Sequence, residues 1–163
     1  MLTPDVNITG TAFTVRLGFF HLRKNPSPTG KSIFILGSMA SYLAIPLGSL
    51  YSASKHAVMG LFRSLEHDAR AANIALSLVC PWFCATTGIL GPEVVFSLAG
   101  LPLTDQGKVV DAMLLASVTE RCGDALTIDA EGILRVPGPA MCYDYTETNY
   151  YKSFEQRAVF VIK

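Results

Sequence analysis

Charge is scarce in this 163-residue chain: Lys and Arg number 13, Asp and Glu 13, together 16% of residues, and the formal net charge is zero. No basic stripe exists to recruit nucleic acid or an anionic membrane surface. Cysteine is sparse and unpatterned. Cys80, Cys84, Cys122 and Cys142 form no CxxC pair, and neither they nor His56 and His67 carry metal-ligand spacing, so no metal is expected. With no secretory leader, the cysteines read as reduced packing residues in a cytoplasmic setting, and the Asn7-Ile-Thr9 sequon has no glycosylating context. Repeats, low-complexity tracts and dividing linkers are missing, so one domain over residues 1–163 is expected. Unbroken apolar runs of membrane-helix length are missing too. Residues 32–54 and 71–92 are uncharged, but Gly37, Pro46 and Gly48 interrupt the first, and Asn73, Pro81, Thr86, Thr87, Gly88 and Gly91 the second.

What is there is apolar: half the residues are hydrophobic. A parallel sheet covered on both faces accounts for that richness without a membrane. Residues 4–24 predict a helix, with Pro4 in its first turn and Val6, Phe13, Leu17 and Phe20 as a buried stripe. Phe13, Phe19 and Phe20 read as core or subunit-interface residues. Ser32-Ile-Phe-Ile-Leu36 predicts a buried strand ending at Gly37-Ser38. Residues 50–72 predict a helix stopped at Asn73, and residues 74–80 a second buried strand. A loop with a short helix follows over 81–103. Thr104 or Asp105 caps a helix running to about Arg121. Residues 125–129 and 133–136 are strand material, and 137–163 is a tail of unassigned structure. This helix–strand alternation predicts an α/β, doubly wound parallel sheet.

The chemistry lies in Tyr51-Ser-Ala-Ser-Lys55, with Ser38 upstream. Residues at i and i+4 share one helix face. A phenol is a poor base at neutral pH, since its reference pKa is about 10. A lysine ammonium about 4 Å away favours phenolate by up to ~4 kcal/mol at an effective dielectric near 20. A serine hydroxyl beside such a pair can hold a carbonyl or alcohol oxygen. The three residues together point to redox chemistry at a C–O centre.

These residues resemble the short-chain dehydrogenase/reductase family. Tyr51 and Lys55 match its YxxxK pair, Ser38 its catalytic serine, and Asn7 the asparagine that completes its tetrad. Cys80-Pro-Trp-Phe-Cys-Ala-Thr86 resembles the segment that closes over nicotinamide, although Trp82 stands where the family usually has glycine. The run from Tyr51 to Val58 is close to members resembling 15-hydroxyprostaglandin dehydrogenase. The similarity covers about residues 3–136. It implies that Tyr51 is the general acid/base and that Lys55 favours its phenolate and holds the nicotinamide ribose. It further implies that Ser38 binds the substrate oxygen and Asn7 anchors a water in a proton relay. Pro81, Cys84 and Thr86 would contact the carboxamide.

Absent from the sequence is the family's GxxxGxG turn, which binds pyrophosphate at a helix N-terminus. The chain therefore resembles a partial Rossmann-like domain lacking the N-terminal dinucleotide-binding half. The resemblance implies an oxidoreductase moving hydride between NAD or NADP and an alcohol/carbonyl pair. The apolar segment 87–103 points to a small hydrophobic substrate. Pairing across the helices 4–24 and 50–72 would make a homo-oligomer. Two other readings stand beside it: a non-catalytic remnant or interaction module, and a non-redox isomerase or cyclase of the same family.

Overall fold

A computed structural model describes residues 2–27, 29–45, 48–84 and 103–136. Four strands make one sheet in the order of the chain: β1 (Ser32–Leu36), β2 (Ala75–Pro81), β3 (Asp124–Ile128) and β4 (Ile133–Val136). The pairs β1–β2 and β2–β3 are parallel, and β4 turns back antiparallel on β3. Helix α1 (Thr11–Lys24) precedes β1, α2 (Ser49–Ala71) links β1 to β2, and α3 (Gln106–Val118) precedes β3. A short turn, Leu2–Pro4, and a π-helical segment, Asp5–Gly10, lead into α1.

Two cores flank the sheet. On one face Val15 and Phe19 of α1 and Val58, Phe62 and Ala69 of α2 pack on Ile35, Leu76, Leu78 and Cys80. On the other, Ala112 and Ala116 of α3 pack on Val79, Leu126 and Ile128. Helices on both faces of a mainly parallel sheet define the doubly wound α/β class. Strand β2 is buried along nearly its whole length because both cores share it. The caps follow local chemistry. Asp105 accepts from the Gly107 N–H to start α3, and Asn73 takes the left-handed conformation (φ 52°) just beyond α2.

Two expectations need correcting. The stripe Val6, Phe13, Leu17 and Phe20 is exposed; Val15 and Phe19 are buried instead. Apolar residues surround most of α1, and only tertiary packing selects which face meets the sheet. Strand β1 is half-exposed: Ile35 is buried, while Phe34 and Leu36 lie open on the other face of an edge strand. Among the described residues, no helix is long and apolar enough to cross a membrane.

Candidate active site

The carboxyl end of β1 starts the site. Gly37 donates its N–H to the Val79 carbonyl, extending the pairing one residue past the strand. A Cβ on Gly37 would lie 2.8 Å from Cys80 Sγ and 3.2 Å from the Leu78 side chain. Glycine therefore lets the chain leave the sheet in contact with β2. Ser38 follows and caps a short 3-10 turn, Met39–Ser41, its hydroxyl accepting from the Ala40 N–H at 3.1 Å. The same hydroxyl reaches the Pro81 carbonyl at 3.5 Å, so Ser38 sits between the ends of β1 and β2.

Helix α2 brings the next two residues to that end. Lys55 is buried, and its Nζ donates to the Leu36 carbonyl at 2.9 Å. Burial lowers the Lys55 pKa; nearby Cys80 acts the other way. No carboxylate pairs with this ammonium among the described residues. Tyr51, one turn earlier, stays 38% exposed, and Lys55 Nζ lies 5.8 Å from its ring centre. The site thus has an accessible phenol over a buried ammonium.

Asn7 lies in the π-helical segment, a local widening common at functional positions. Its Nδ2 donates to Ser54 Oγ at 3.0 Å, and Ser54 in turn donates to the Tyr51 carbonyl at 2.7 Å. Asn7 is therefore tethered to the helix that carries Tyr51 and Lys55. Ser54 escaped the sequence reading; its signal was its place one turn after Tyr51 inside the YSASK run. Cys80, read from the sequence as a reduced packing residue, lies beneath Gly37 as a buried free thiol. Its thiol is pushed up to about 11 by burial, against the Ser38 N–H and Lys55, so it stays protonated. Tyr42 is pushed up to about 12, again by burial, which leaves it a poor proton carrier.

Pro81 ends β2, and the Trp82 N–H donates to the Ile128 carbonyl at 2.7 Å. Trp82 packs edge-on against Phe83, with ring centres 4.9 Å apart. Cys84 forms an isolated parallel bridge with Thr104, and burial raises its thiol pKa. Thr86 lies outside the described residues, as does most of 87–103. His56 is exposed on α2 with Nδ1 on the Ser52 carbonyl at 2.9 Å. No metal-binding cluster occurs among the described residues, and Cys80, Cys84 and Cys122 are free thiols.

A serine, an exposed phenol and a buried lysine lie at the carboxyl ends of the parallel strands, where open α/β sheets bind their ligands. The family model for short chain dehydrogenases matches residues 3–92. The chain belongs to that family. The 5'-hydroxyaverantin dehydrogenase of Emericella nidulans is 36% identical over 129 residues, covering 76% of this chain and 40% of that protein. Its counterpart in Dothistroma septosporum is 31% identical over 139 residues, covering 78% and 45%. A crystal structure of 3-hydroxyacyl-CoA dehydrogenase type-2 from Mycobacterium avium shares the fold, with TM-score 0.69, 22% identity, and 80% and 55% of the two chains covered. The chain thus spans less than half the length of these two curated relatives.

Proposed function

We propose that this chain carries the catalytic wall of an NAD- or NADP-dependent oxidoreductase acting on a hydrophobic alcohol/carbonyl pair in the cytoplasm. The observation that carries the reading is the buried Lys55 ammonium one helical turn behind the accessible Tyr51 phenol, beside Ser38. The donor set fits the nicotinamide end of such a cofactor. Lys55 has three N–H donors and uses one on Leu36, which leaves two for ribose hydroxyls. Pro81, Cys84 and Thr86 would face the carboxamide. When bound, the nicotinamide supplies or accepts the hydride.

The chain's own residues would manage the oxygen and its proton. Ser38 Oγ would hold the substrate oxygen beside the Tyr51 hydroxyl. In reduction, the Tyr51 hydroxyl would protonate the developing alkoxide; in oxidation, its phenolate would take the alcohol proton. The Lys55 ammonium would lie behind that oxygen, on the same helix face. Asn7 and Ser54 would fix the first turn of α2 and pass protons through an intervening water. The two curated relatives are named for 5'-hydroxyaverantin, and a substrate of that kind is a candidate for this chain.

The expected domain is a single short-chain dehydrogenase unit over 1–163, with family likeness to 136 and a tail beyond. Its sequence has no GxxxGxG turn, so the pyrophosphate loses its backbone donors and helix dipole. Dinucleotide binding by this polypeptide alone should be weak, and the interaction-module reading draws its support from the same feature. Calorimetric titration with NAD and NADP separates the two: micromolar affinity would remove the interaction-module reading. Any dehydrogenase activity should vanish in Tyr51→Phe while the fold, followed by circular dichroism, is retained. Unchanged turnover in that variant would remove Tyr51 from its acid/base role.

A further inference from the structure

Strand β2 sends Leu76, Leu78 and Cys80 to one face, where all three are buried against α1 and α2. Two are leucines, and the third is the smaller cysteine. Gly37 explains the change of size. Where the chain leaves β1, a Cβ on Gly37 would lie 2.8 Å from Cys80 Sγ, and the Leu78 side chain already fills the space beside it. A leucine at position 80 would press on the Gly37–Ser38 turn, and an alanine would leave a gap beneath it.

Polarity completes the match. The Ser38 N–H donates to Ser41 Oγ at 3.3 Å, a long bond, and faces Cys80 Sγ as well; the Ser41 hydroxyl also reaches that sulfur. Ser41 and Cys80 are both buried, so the Ser38 N–H is held from within the protein. Three successive backbone groups are thereby fixed. Lys55 holds the Leu36 carbonyl, Val79 accepts from the Gly37 N–H, and Ser41 and Cys80 share the Ser38 N–H. Ser38 Oγ accepts from the Ala40 N–H at 3.1 Å and lies 3.5 Å from the Pro81 carbonyl, beyond a good O–H···O bond. Its hydrogen is therefore available to a closer partner.

We infer that Cys80 is a positioning residue, whose sulfur supports the Ser38 N–H and sets the height of the Ser38 hydroxyl, on the reading that Ser38 holds the substrate oxygen. Cys80 is fully buried and acts only through Ser38. The next residue, Pro81, supplies the carbonyl beside that hydroxyl, so one dipeptide at the end of β2 supports Ser38 from beneath and from the side. A thiol suits the place because it is small, polarizable and a weak acceptor.

Amide hydrogen exchange, resolved by NMR on the full 163-residue chain, tests this. In Cys80→Ala, exchange at the Ser38 and Ala40 amides should speed up about tenfold more than at Ile35 and Ser77, which lie inside the β1–β2 pairing. Cys80→Ser keeps a polar atom at that place and should return both rates to within about threefold of the parent. Unchanged Ser38 and Ala40 rates in Cys80→Ala would overturn the assignment. So would equal acceleration at Ile35 and Ser77, or a Cys80→Ser variant as fast as Cys80→Ala, because a plain packing role gives those results. Turnover enters nowhere in this test, so its failure removes only the part given to Cys80. Failure of the reading of Ser38 would show instead as unchanged turnover in Ser38→Ala.

Discussion

Gly37 shows how one absent methyl group shapes the site. Its missing Cβ would meet Cys80 Sγ at 2.8 Å, so Gly37→Ala must push β2 away or bend the turn that holds Ser38. The expected cost is about 1–3 kcal/mol, read as a lower urea midpoint with unchanged slope. In a Cys80→Ala background the same substitution should cost less, because the clashing sulfur is gone. Cys80 also sets an alkaline limit. Burial raises its thiol from 9.0 to about 11, so the folded chain keeps a proton that the unfolded chain releases. That contribution is complete below the unfolded pKa and is lost as pH rises from 9.0 to about 11. Lys55 works in the opposite sense. Its folded pKa is below 10.5, so its contribution is present above that value and fades as pH falls through the folded pKa. Thermal melts should show stability falling from pH 9.0 toward 11, with a shallower fall in Cys80→Ala. Tyr42, raised from 10.0 to about 12, should keep a fall at still higher pH in both proteins.

Among the elements, α2 does two jobs at its two ends. Its first turns present Tyr51 and Lys55; its later turns grip the entry to β3. Arg63 donates to the Gly123 carbonyl at 2.8 Å, and Arg70 donates to the Cys122 carbonyl and pairs with the buried Glu66, both at 2.6 Å. Gly123 has φ 96°, and a Cβ there would collide with the Glu66 carboxylate. Gly123→Ala should therefore lose about 2 kcal/mol or more in chemical denaturation, from the left-handed backbone and the clash together. A result within about 0.5 kcal/mol of the parent would mean that the Glu66 side chain relocates freely. The strands and long helices were legible from the sequence because their residues alternate or cap locally, as Asn73 and Asp105 do. The face chosen by α1 was not. Val15 and Phe19 differ little in kind from Phe13, Leu17 and Phe20, and only contact with Ile35 and Phe62 separates them.

Across the whole molecule, two apolar surfaces lie on different sides among the described residues. One holds Phe34 and Leu36 of β1 and Leu115 and Val118 of α3, all exposed. The other is the outer face of α1 and α2, where a groove of about 570 Å³ is lined by Val15, Phe19, Phe20, Leu61 and Leu65 and rimmed by Arg16 and Arg23. Phe13, Leu17 and Phe20 lie exposed on α1. That face suits the proposed homo-oligomer formed through the helices 4–24 and 50–72. Leu17→Glu should then reduce the sedimentation mass without altering the helical signal. A parent chain that is monomeric at micromolar concentration would remove the assembly.

Sequence alone determined the identities that chemistry needs: the Tyr51–Lys55 spacing, Ser38 after a β-rich run, and the missing glycine-rich turn. Those are local facts, since helical periodicity places i and i+4 together in any fold. Tertiary structure alone decided what surrounds them. It buried the Lys55 ammonium against the Leu36 carbonyl, set Cys80 beneath Gly37 and tied Asn7 to Ser54 across 47 residues of chain. Burial and long-range contacts depend on which faces of the helices meet the sheet, and periodicity does not encode that choice.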